Sequence, residues 1–481
     1  MKLRDLLDGF AEVPESLASL EATGLQDDSR LVVPGDLFVA RAGHGDDGRR
    51  YASAALTAGA VAVLSEDGEG ERAVRCENVA AKMADLASRM WGLPSDDLSL
   101  WAVTGTNGKT TSTFLLESAL RAAGRPCGLL GTVSNRVGAQ AVRARLTTPG
   151  MLDFHRFAAS VRDEGIRDLV FEASSHALDQ GRLGNLRVRA AAFTNLTQDH
   201  LDYHGDMESY FRAKKRLFSD FLVPGGRAVV NVDNAYGARL ADELGKTAWR
   251  VSRVDGNADV ALVEDRSSGF LQRMTVRTPA GTLRIESGLP GAFNQENLLG
   301  AAGWAVAAGV PLGAIEEGFA SVRVPGRMQV VCDGPATVVV DYAHTPDAVE
   351  RVLRGLRPNV RGRLVVLFGC GGDRDRTKRP KMAAAAARLA DRVVLTSDNP
   401  RHEDPLAILA DVRAGIPAGT DFVEEPDRRK AIALAVSELR EGDALLLAGK
   451  GHEDYQIFGD EKIPFDDAVE ARRAWEERRW N

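Results

Sequence analysis

The sequence predicts an α/β protein of three domains built on parallel sheets, and three observations carry that prediction. From about residue 96 to the C-terminus, apolar strand-like runs alternate with helical stretches. That order gives parallel sheets with ligand sites at the C-terminal strand ends. A buried run, AVTG, opens directly into the turn TNGKTT and a following helix. The 481 residues also exceed the length of one domain, which sets a prior of two to four.

Taken in order, residues 1–95 mix short apolar runs with turns, as in LVVPGDLFVA and AVAVLSED. A second block, 96–327, opens on LSLWAV (98–103), a buried strand. RDLVFEAS (167–174), RAAAFTN (189–195) and GRAVVNVD (226–233) read as strands buried on both faces. Met207 to Leu222 has helical apolar spacing, and 253–290 reads as an inserted β segment. The uncharged stretch Leu298 to Ile315, rich in Gly and Ala and broken by Pro311, reads as a buried helix and a turn and not as a membrane span. A third block, 328–481, carries four β runs: TVVVDYAH, RLVVLFGC, DRVVLTSD and DALLLAGKG. No repeat of fixed period occurs.

Composition narrows the function classes. Hydrophobic residues at 44% and charged residues at 27% exclude disorder as the main state. A net charge of -7 argues against a coat for nucleic acid, so anions would be held at a local site. The four cysteines form no CxxC pair and fit a reducing compartment. The opening MKLRDLLDGFAEVPES has no apolar signal region, so a cytoplasmic location is expected.

The sharpest motif is AVTGTNGKTTS, 102–112. Gly105, Thr106, Asn107 and Gly108 can turn backbone N–H groups around phosphate oxygens at a helix N-terminus. Lys109 can reach the terminal phosphates, and the hydroxyl of Thr110, followed by Thr111, can ligate Mg²⁺. Val103 stands where the full pattern has its first glycine. A nucleoside triphosphate site is the inference. Two further polar clusters end predicted strands, Glu172 to His176 and Thr194 to His204. A carboxylate and an imidazole there could complete a Mg²⁺ shell. His200 and His204 stand four apart, but HLDYH lacks the HE pair of a zinc helix and Gly205 follows at once. His176 and His204 read equally well as polar turn caps. Lys214 and Lys215 both read, by residue type, as solvated helix lysines.

These motifs, together with FNQENLLGA, VPGRMQ, FGCGGDRDRTKRP, SDNPR and AGKGHEDYQ in that order, resemble the Mur ligase family along nearly the whole chain. The resemblance implies an N-terminal UDP-binding domain, a central P-loop ATPase domain and a C-terminal Rossmann-like domain. It implies an ATP- and Mg²⁺-dependent amide ligase, acting as a monomer in peptidoglycan precursor synthesis. A carboxylate would take the γ-phosphoryl group and an amine would displace phosphate from the acyl phosphate. Thr110, Glu172 and His200 match metal ligands of the family, and Lys214 matches a lysine carried as a carbamate, whose negative charge would hold a second Mg²⁺ beside the acyl phosphate. Asn294, Arg327 and Asp341 match positions for adenine, phosphate and ribose, with His344 either assisting there or packing. The nucleotide is thus expected between the central and C-terminal domains, with closure assembling the site. Ser29, His44, Gly45 and Asp46 match contacts to the uridine diphosphate. Asp27 replaces a usually apolar residue. Thr147, Thr148, Ser174, Gln180 and Arg182 match contacts to the muramoyl dipeptide, while Leu146 replaces a common Asn.

Arg374, Asp398, Asn399, Pro400, Arg401, Gly449 and Glu453 match contacts to the incoming amino acid. DNPR accompanies meso-2,6-diaminopimelate in the family, so the implied reaction adds that amino acid to UDP-N-acetylmuramoyl-L-alanyl-D-glutamate. Arg401 offers a planar fork for the distal carboxylate, which lysine lacks. A desolvated, unpaired Arg401 would cost about 3–5 kcal/mol, enough to reject lysine. A folate-polyglutamylating ligase, a peptide-recycling murein ligase and a P-loop regulatory ATPase are the alternatives.

Overall fold

The computed structural model describes residues 1–41, 47–138 and 140–478. The chain forms two compact units, one of residues 1–251 with 303–311 and one of residues 252–302 with 312–481.

The first unit holds two sheets. Near the N-terminus, Gly24–Gln26, Asp36–Ala40, Ala62–Ser65 and Ala73–Arg75 pair in parallel in that order. Helix Val79–Trp91 covers them with Val79, Met83, Leu86 and Ala87 buried at helical spacing. The larger sheet includes, in order and all parallel, Ala248–Ser252, Leu222–Asn231, Val188–Phe193, Ser99–Thr104, Asp168–Glu172 and Cys127–Leu130, and it continues past the last through antiparallel Ser134–Val137 and Gln140–Arg143. Its parallel strands are apolar on both faces because helices cover both, and Leu100, Leu169 and Val170 are fully buried. Ser99–Thr104 lies at the centre, between Val188–Phe193 and Asp168–Glu172. The ends of these three strands carry the three polar motifs picked out in the sequence, and the parallel register sets those motifs side by side.

The two sheets are tied together through helix Met151–Asp163. Arg156 donates to the Leu25 carbonyl at 2.7 Å and to Asp36 at 2.8 Å, and the Gln26 amide donates to Asp153 at 3.0 Å.

The second unit contains the β segment expected at 253–290, as Val260–Asp265, Gln272–Thr278 and Gly281–Ser287 in antiparallel order. It also contains a six-stranded sheet ordered Gln329–Asp333, Thr337–Asp341, Ala444–Ala448, Leu364–Phe368, Arg392–Leu395, Phe422–Glu424. Only the first pair is antiparallel. The four β runs read in the third block are its four inner strands.

Some limits shift. The helix read from Met207 to Leu222 ends at Ser219, because the next strand, Leu222–Asn231, begins four residues earlier than its apolar run suggests. All four cysteines are free and buried. Among the described residues no helix is long and apolar enough to cross a membrane.

Candidate active site

The phosphate loop joins strand Ser99–Thr104 to helix Lys109–Ala122. Gly105 has φ +149°, and a Cβ there would stand 1.9 Å from the Thr194 hydroxyl, so the loop can lie against the next strand end only with glycine. Asn195 fastens the loop from that side. Its carbonyl accepts from Thr106 N at 2.9 Å, and its side-chain oxygen accepts from Asn107 N at 3.0 Å. Lys109 Nζ donates to the carbonyls of Gly105 and Thr106, both at 2.9 Å.

Glu172 is 1% exposed at the end of its strand. Its carboxylate accepts from the Thr110 hydroxyl at 3.0 Å, from Thr132 N at 2.8 Å and from the Thr132 hydroxyl at 3.0 Å. The Thr132 and Thr147 hydroxyls lie 3.1 Å apart. Thr148 donates to the Glu172 carbonyl at 2.7 Å and accepts from Ser174 N at 3.0 Å. Arg182 donates to the Thr148 carbonyl at 2.8 Å and to Gln180 at 2.7 Å. Thr110, Glu172, Thr147, Thr148, Ser174, Gln180 and Arg182 thus form one continuous network. Thr132 is a member that no motif pointed to.

Lys214 departs from the solvated lysine that its type suggests. It is 1% exposed, and its Nζ donates to the Gly105 carbonyl at 2.9 Å over the Tyr210 ring. Burial, reinforced by the Lys109 charge, holds its amine well below the usual lysine range. A signal was available: Tyr210, Phe211, Leu217 and Phe218 are the buried apolar stripe of helix Met207–Ser219, and Lys214 lies on it. Lys215 points away and pairs with Glu243 at 2.6 Å.

His200 has φ +52° and a half-exposed side chain 3.6 Å from Asp199. Its ring lies 4.9 Å from that of His176. His204 Nε2 lies 3.0 Å from the Ser175 hydroxyl, a side-chain contact and not a turn cap. Among the described residues no group of three or more His, Cys, Asp or Glu side chains is placed to hold a metal ion. The buried oxygens of Thr110 and Glu172 are hard donors of the kind Mg²⁺ takes, with phosphate to complete the shell.

Ser29 lies in the turn after strand Gly24–Gln26, which the buried Gln26 carboxamide braces by accepting from Asp27 N at 2.9 Å and Asp28 N at 3.0 Å. Asp27 pairs with Arg41 at 3.0 Å, which accounts for a carboxylate at that position. His44, Gly45 and Asp46 lie outside the described residues.

In the second unit, Asp341 accepts from Met328 N and Ala343 N, both at 2.8 Å, binding VPGRM to DYA. Arg327 lies over the Tyr342 ring at 4.5 Å. Asn294, 2% exposed, donates to the Pro290 carbonyl at 2.9 Å. His344 is exposed, with Nδ1 at 2.8 Å from the Tyr342 carbonyl.

The strand-end loops of the six-stranded sheet converge. Asn399 donates to Glu453 at 2.9 Å and accepts from Lys450 at 3.2 Å. Lys450 is fully buried and also faces Asp398 at 3.7 Å. Gly449 has φ +110°, and a Cβ there would stand 2.8 Å from Asp398 Oδ2. Arg401 has φ +53°, a strained conformation for a side chain of this size. Ile457 and Gly459 hold its backbone at 3.0 and 2.7 Å, and its guanidinium donates to the Gly372 carbonyl at 2.8 Å. Arg401 is only partly buried. Arg374 is exposed. Arg379, 1% exposed, pairs with Glu403 at 2.8 Å, and its hydrogen bond, with that from Asp373 N, holds the Glu403 carboxyl at about 2. Lys450, Arg379 and Glu403 are site-building residues that sequence reasoning passed over. Within GGDRDRTKRP nothing distinguishes the buried arginine from the exposed ones.

Three family models match consecutive stretches of the chain: Mur ligase family, catalytic domain, over residues 21–89; Mur ligase middle domain over 103–305; and Mur ligase, glutamate ligase domain, over 326–451. The chain belongs to the Mur ligase family, whose three-domain α/β fold with parallel sheets it has. It is 47% identical, over 98% of both chains, to a UDP-N-acetylmuramoyl-L-alanyl-D-glutamate--2,6-diaminopimelate ligase of Parasynechococcus marenigrum (strain WH8102). It is 46% identical to the protein of the same name from Gloeobacter violaceus (strain ATCC 29082 / PCC 7421), over 100% of this chain and 99% of that one. A solved structure of a protein with that name matches at a TM-score of 0.70 and 36% identity, covering 99% of both chains. A MurF ligase from Thermotoga maritima in complex with ADP shares the fold at a TM-score of 0.64 and 17% identity, covering 94% of this chain and 97% of that one.

Proposed function

We propose that this chain is an ATP-dependent amide ligase that joins meso-2,6-diaminopimelate to UDP-N-acetylmuramoyl-L-alanyl-D-glutamate, acting in the cytoplasm on a peptidoglycan precursor. The observation that carries the reading is similarity along 98% of the chain, at 47% identity, to a relative named for that reaction. In this reading a carboxylate of the dipeptide takes the γ-phosphoryl group of ATP, and the amine of diaminopimelate then displaces phosphate. Phosphorylation turns a carboxylate oxygen, an impossible leaving group, into phosphate. The protein supplies positioning and charge for a transfer that needs little else.

Gly105, Thr106, Asn107, Gly108 and Thr111 cradle phosphate with backbone and helix-terminal N–H groups. Lys109 exchanges its two loop carbonyls for phosphate oxygens. Mg²⁺, held by Thr110, Glu172 and His200, would offset the charge of the polyphosphate. Lys214 carries a carbamate; burial disfavours the charged ammonium, and the free amine is the form that attacks carbon dioxide. Asn294, Arg327 and Asp341 contact the nucleotide. Ser29, with His44, Gly45 and Asp46, holds the uridine diphosphate, and Thr147, Thr148, Ser174, Gln180 and Arg182 hold the dipeptide. Arg374, Asp398, Asn399, Pro400, Gly449 and Glu453 hold the amino acid, with Arg401 on its distal carboxylate.

The test is phosphate release by the purified chain, followed with and without the sugar nucleotide across a panel of amino acids. Release should require both the sugar nucleotide and diaminopimelate. Turnover of ATP alone, indifferent to either, would leave a regulatory ATPase and sink the ligase reading.

A further inference from the structure

Arg428 and Asp467 form an ion pair with no exposure on either side chain. Nε donates to Asp467 Oδ1 at 2.7 Å and Nη2 to Oδ2 at 2.6 Å, a bidentate fork. The guanidinium has two more partners. Nη1 donates to the Ser397 carbonyl at 3.3 Å, and Nη2 to the Ala448 carbonyl at 3.1 Å. Ser397 immediately precedes Asp398, and Ala448 immediately precedes Gly449. The strands that lead to these residues, Arg392–Leu395 and Ala444–Ala448, are not neighbours, since Leu364–Phe368 lies between them. No ladder hydrogen bond therefore joins the two loops at their roots; there the guanidinium bridges their backbones, while Asn399 and Lys450 link them through side chains further along. Asp398 and Glu453, carboxylates of those loops, also act on it electrostatically.

The placement is costly as architecture. Arg428 is the first residue of helix Arg428–Ser437, where the helix dipole disfavours a cation. A buried ion pair is often no more stabilising than apolar residues of similar size. Stability alone therefore gives a weak reason for it.

We propose that Arg428 is a positioning residue for the amino-acid site: it fixes the spacing between the Asp398–Arg401 loop and the Gly449–Glu453 loop, and thereby the recognition of diaminopimelate. The inference rests on the ligase reading above. Arg428 reaches backbone carbonyls and Asp467, and it acts on substrate only through them.

The test compares the unmutated protein with Arg428→Lys and with Arg428→Met/Asp467→Leu, which removes both charges together. Each is assayed for thermal melting, for KM of ATP, sugar nucleotide and diaminopimelate, and for the preference for diaminopimelate over lysine. Arg428→Lys keeps the charge but cannot reach Asp467 and both carbonyls. In both variants the KM for diaminopimelate should rise about tenfold or more and the preference over lysine should shrink by a similar factor, the loss of about one charged hydrogen bond to the amino acid. The KM values for ATP and sugar nucleotide should stay within about twofold, as should kcat at saturation. Parental KM for diaminopimelate in a folded variant overturns the proposal. So does an equal change in all three KM values, or loss of a cooperative melt in both variants, either of which makes the pair purely structural. If the unmutated protein does not use diaminopimelate, the ligase reading itself falls and takes this inference with it. If it does and the variants match it, only the role of Arg428 falls.

Discussion

Lys214 and Lys215 are adjacent in sequence and opposite in environment. The first is 1% exposed with its amine on the Gly105 carbonyl, and the second pairs with Glu243 on the surface. Lys214→Ala should therefore be nearly inactive, whereas Lys215→Ala should lose at most about 1 kcal/mol of stability, the ceiling for a surface pair. Equal activities in steady-state ligation would remove Lys214 from the mechanism. A ¹³C label from bicarbonate appearing in the folded protein, and absent from Lys214→Ala, would mark the carbamate. Arg401 calls for a smaller effect than its sequence suggests. Its guanidinium is partly solvated and keeps the Gly372 carbonyl as a partner, so losing the distal carboxylate does not strand a buried charge. The penalty for lysine is then that of a charged hydrogen bond, roughly 1.5–3 kcal/mol, or on the order of 10–10² in kcat/KM. Arg401→Ala should narrow the preference by that factor, and Arg401→Lys should restore little of it, since an ammonium is no fork. Equal kcat/KM for the two amino acids in the unmutated protein would exclude Arg401 as the reader of that carboxylate.

Helix Met151–Asp163 links the two sheets of the first unit and buries a histidine. His155 is fully buried, with Nε2 3.3 Å from the Leu183 carbonyl and Nδ1 without a hydrogen-bond partner among the described residues. Burial pushes its pKa down from 6.5 to about 4. The unfolded chain therefore takes up this proton first as pH falls. The stability conferred by a neutral His155 is complete above about 6.5 and drains away between there and about 4, by an amount on the order of 3 kcal/mol. Denaturant unfolding across that window should show the decline, and His155→Leu should flatten it while costing about 1 kcal/mol at neutral pH for the lost hydrogen bond. An identical slope in the variant would assign the decline to other groups. Most elements of this unit were legible in the sequence because parallel strands buried on both faces read as unbroken apolar runs. Their limits were less so: pairing, decided by the neighbouring strand, moved the start of Leu222–Asn231 back to residues that are not apolar as a run.

For the molecule as a whole, a ligand that binds only the folded state stabilises it by mass action. A non-hydrolysable ATP analogue with Mg²⁺ at about a hundred times its Kd should add about 2.7 kcal/mol and raise Tm. Lys109→Ala should melt like the parent without ligand and lose most of that rise. A parental shift in the variant would mean that the phosphate loop does not hold the triphosphate. The sequence alone determined the fold class, the phosphate loop and the family, because each is written in contiguous residues: apolar runs, a Gly-Lys-Thr-Thr turn after a strand, and motifs in fixed order. Only the tertiary structure decided which charges of those motifs are buried and what they serve. Lys214 lost its solvent because its helix turns that face inward. Arg379, not Arg374, became the buried arginine of its run, and Lys450 became the cation beneath Asp398 and Glu453. Arg428 found Asp467, thirty-nine residues away, with the carbonyls of two loops. Residue type sets the chemistry a side chain can perform; desolvation and partners set its charge and its work, and both come from strands and helices distant in the chain.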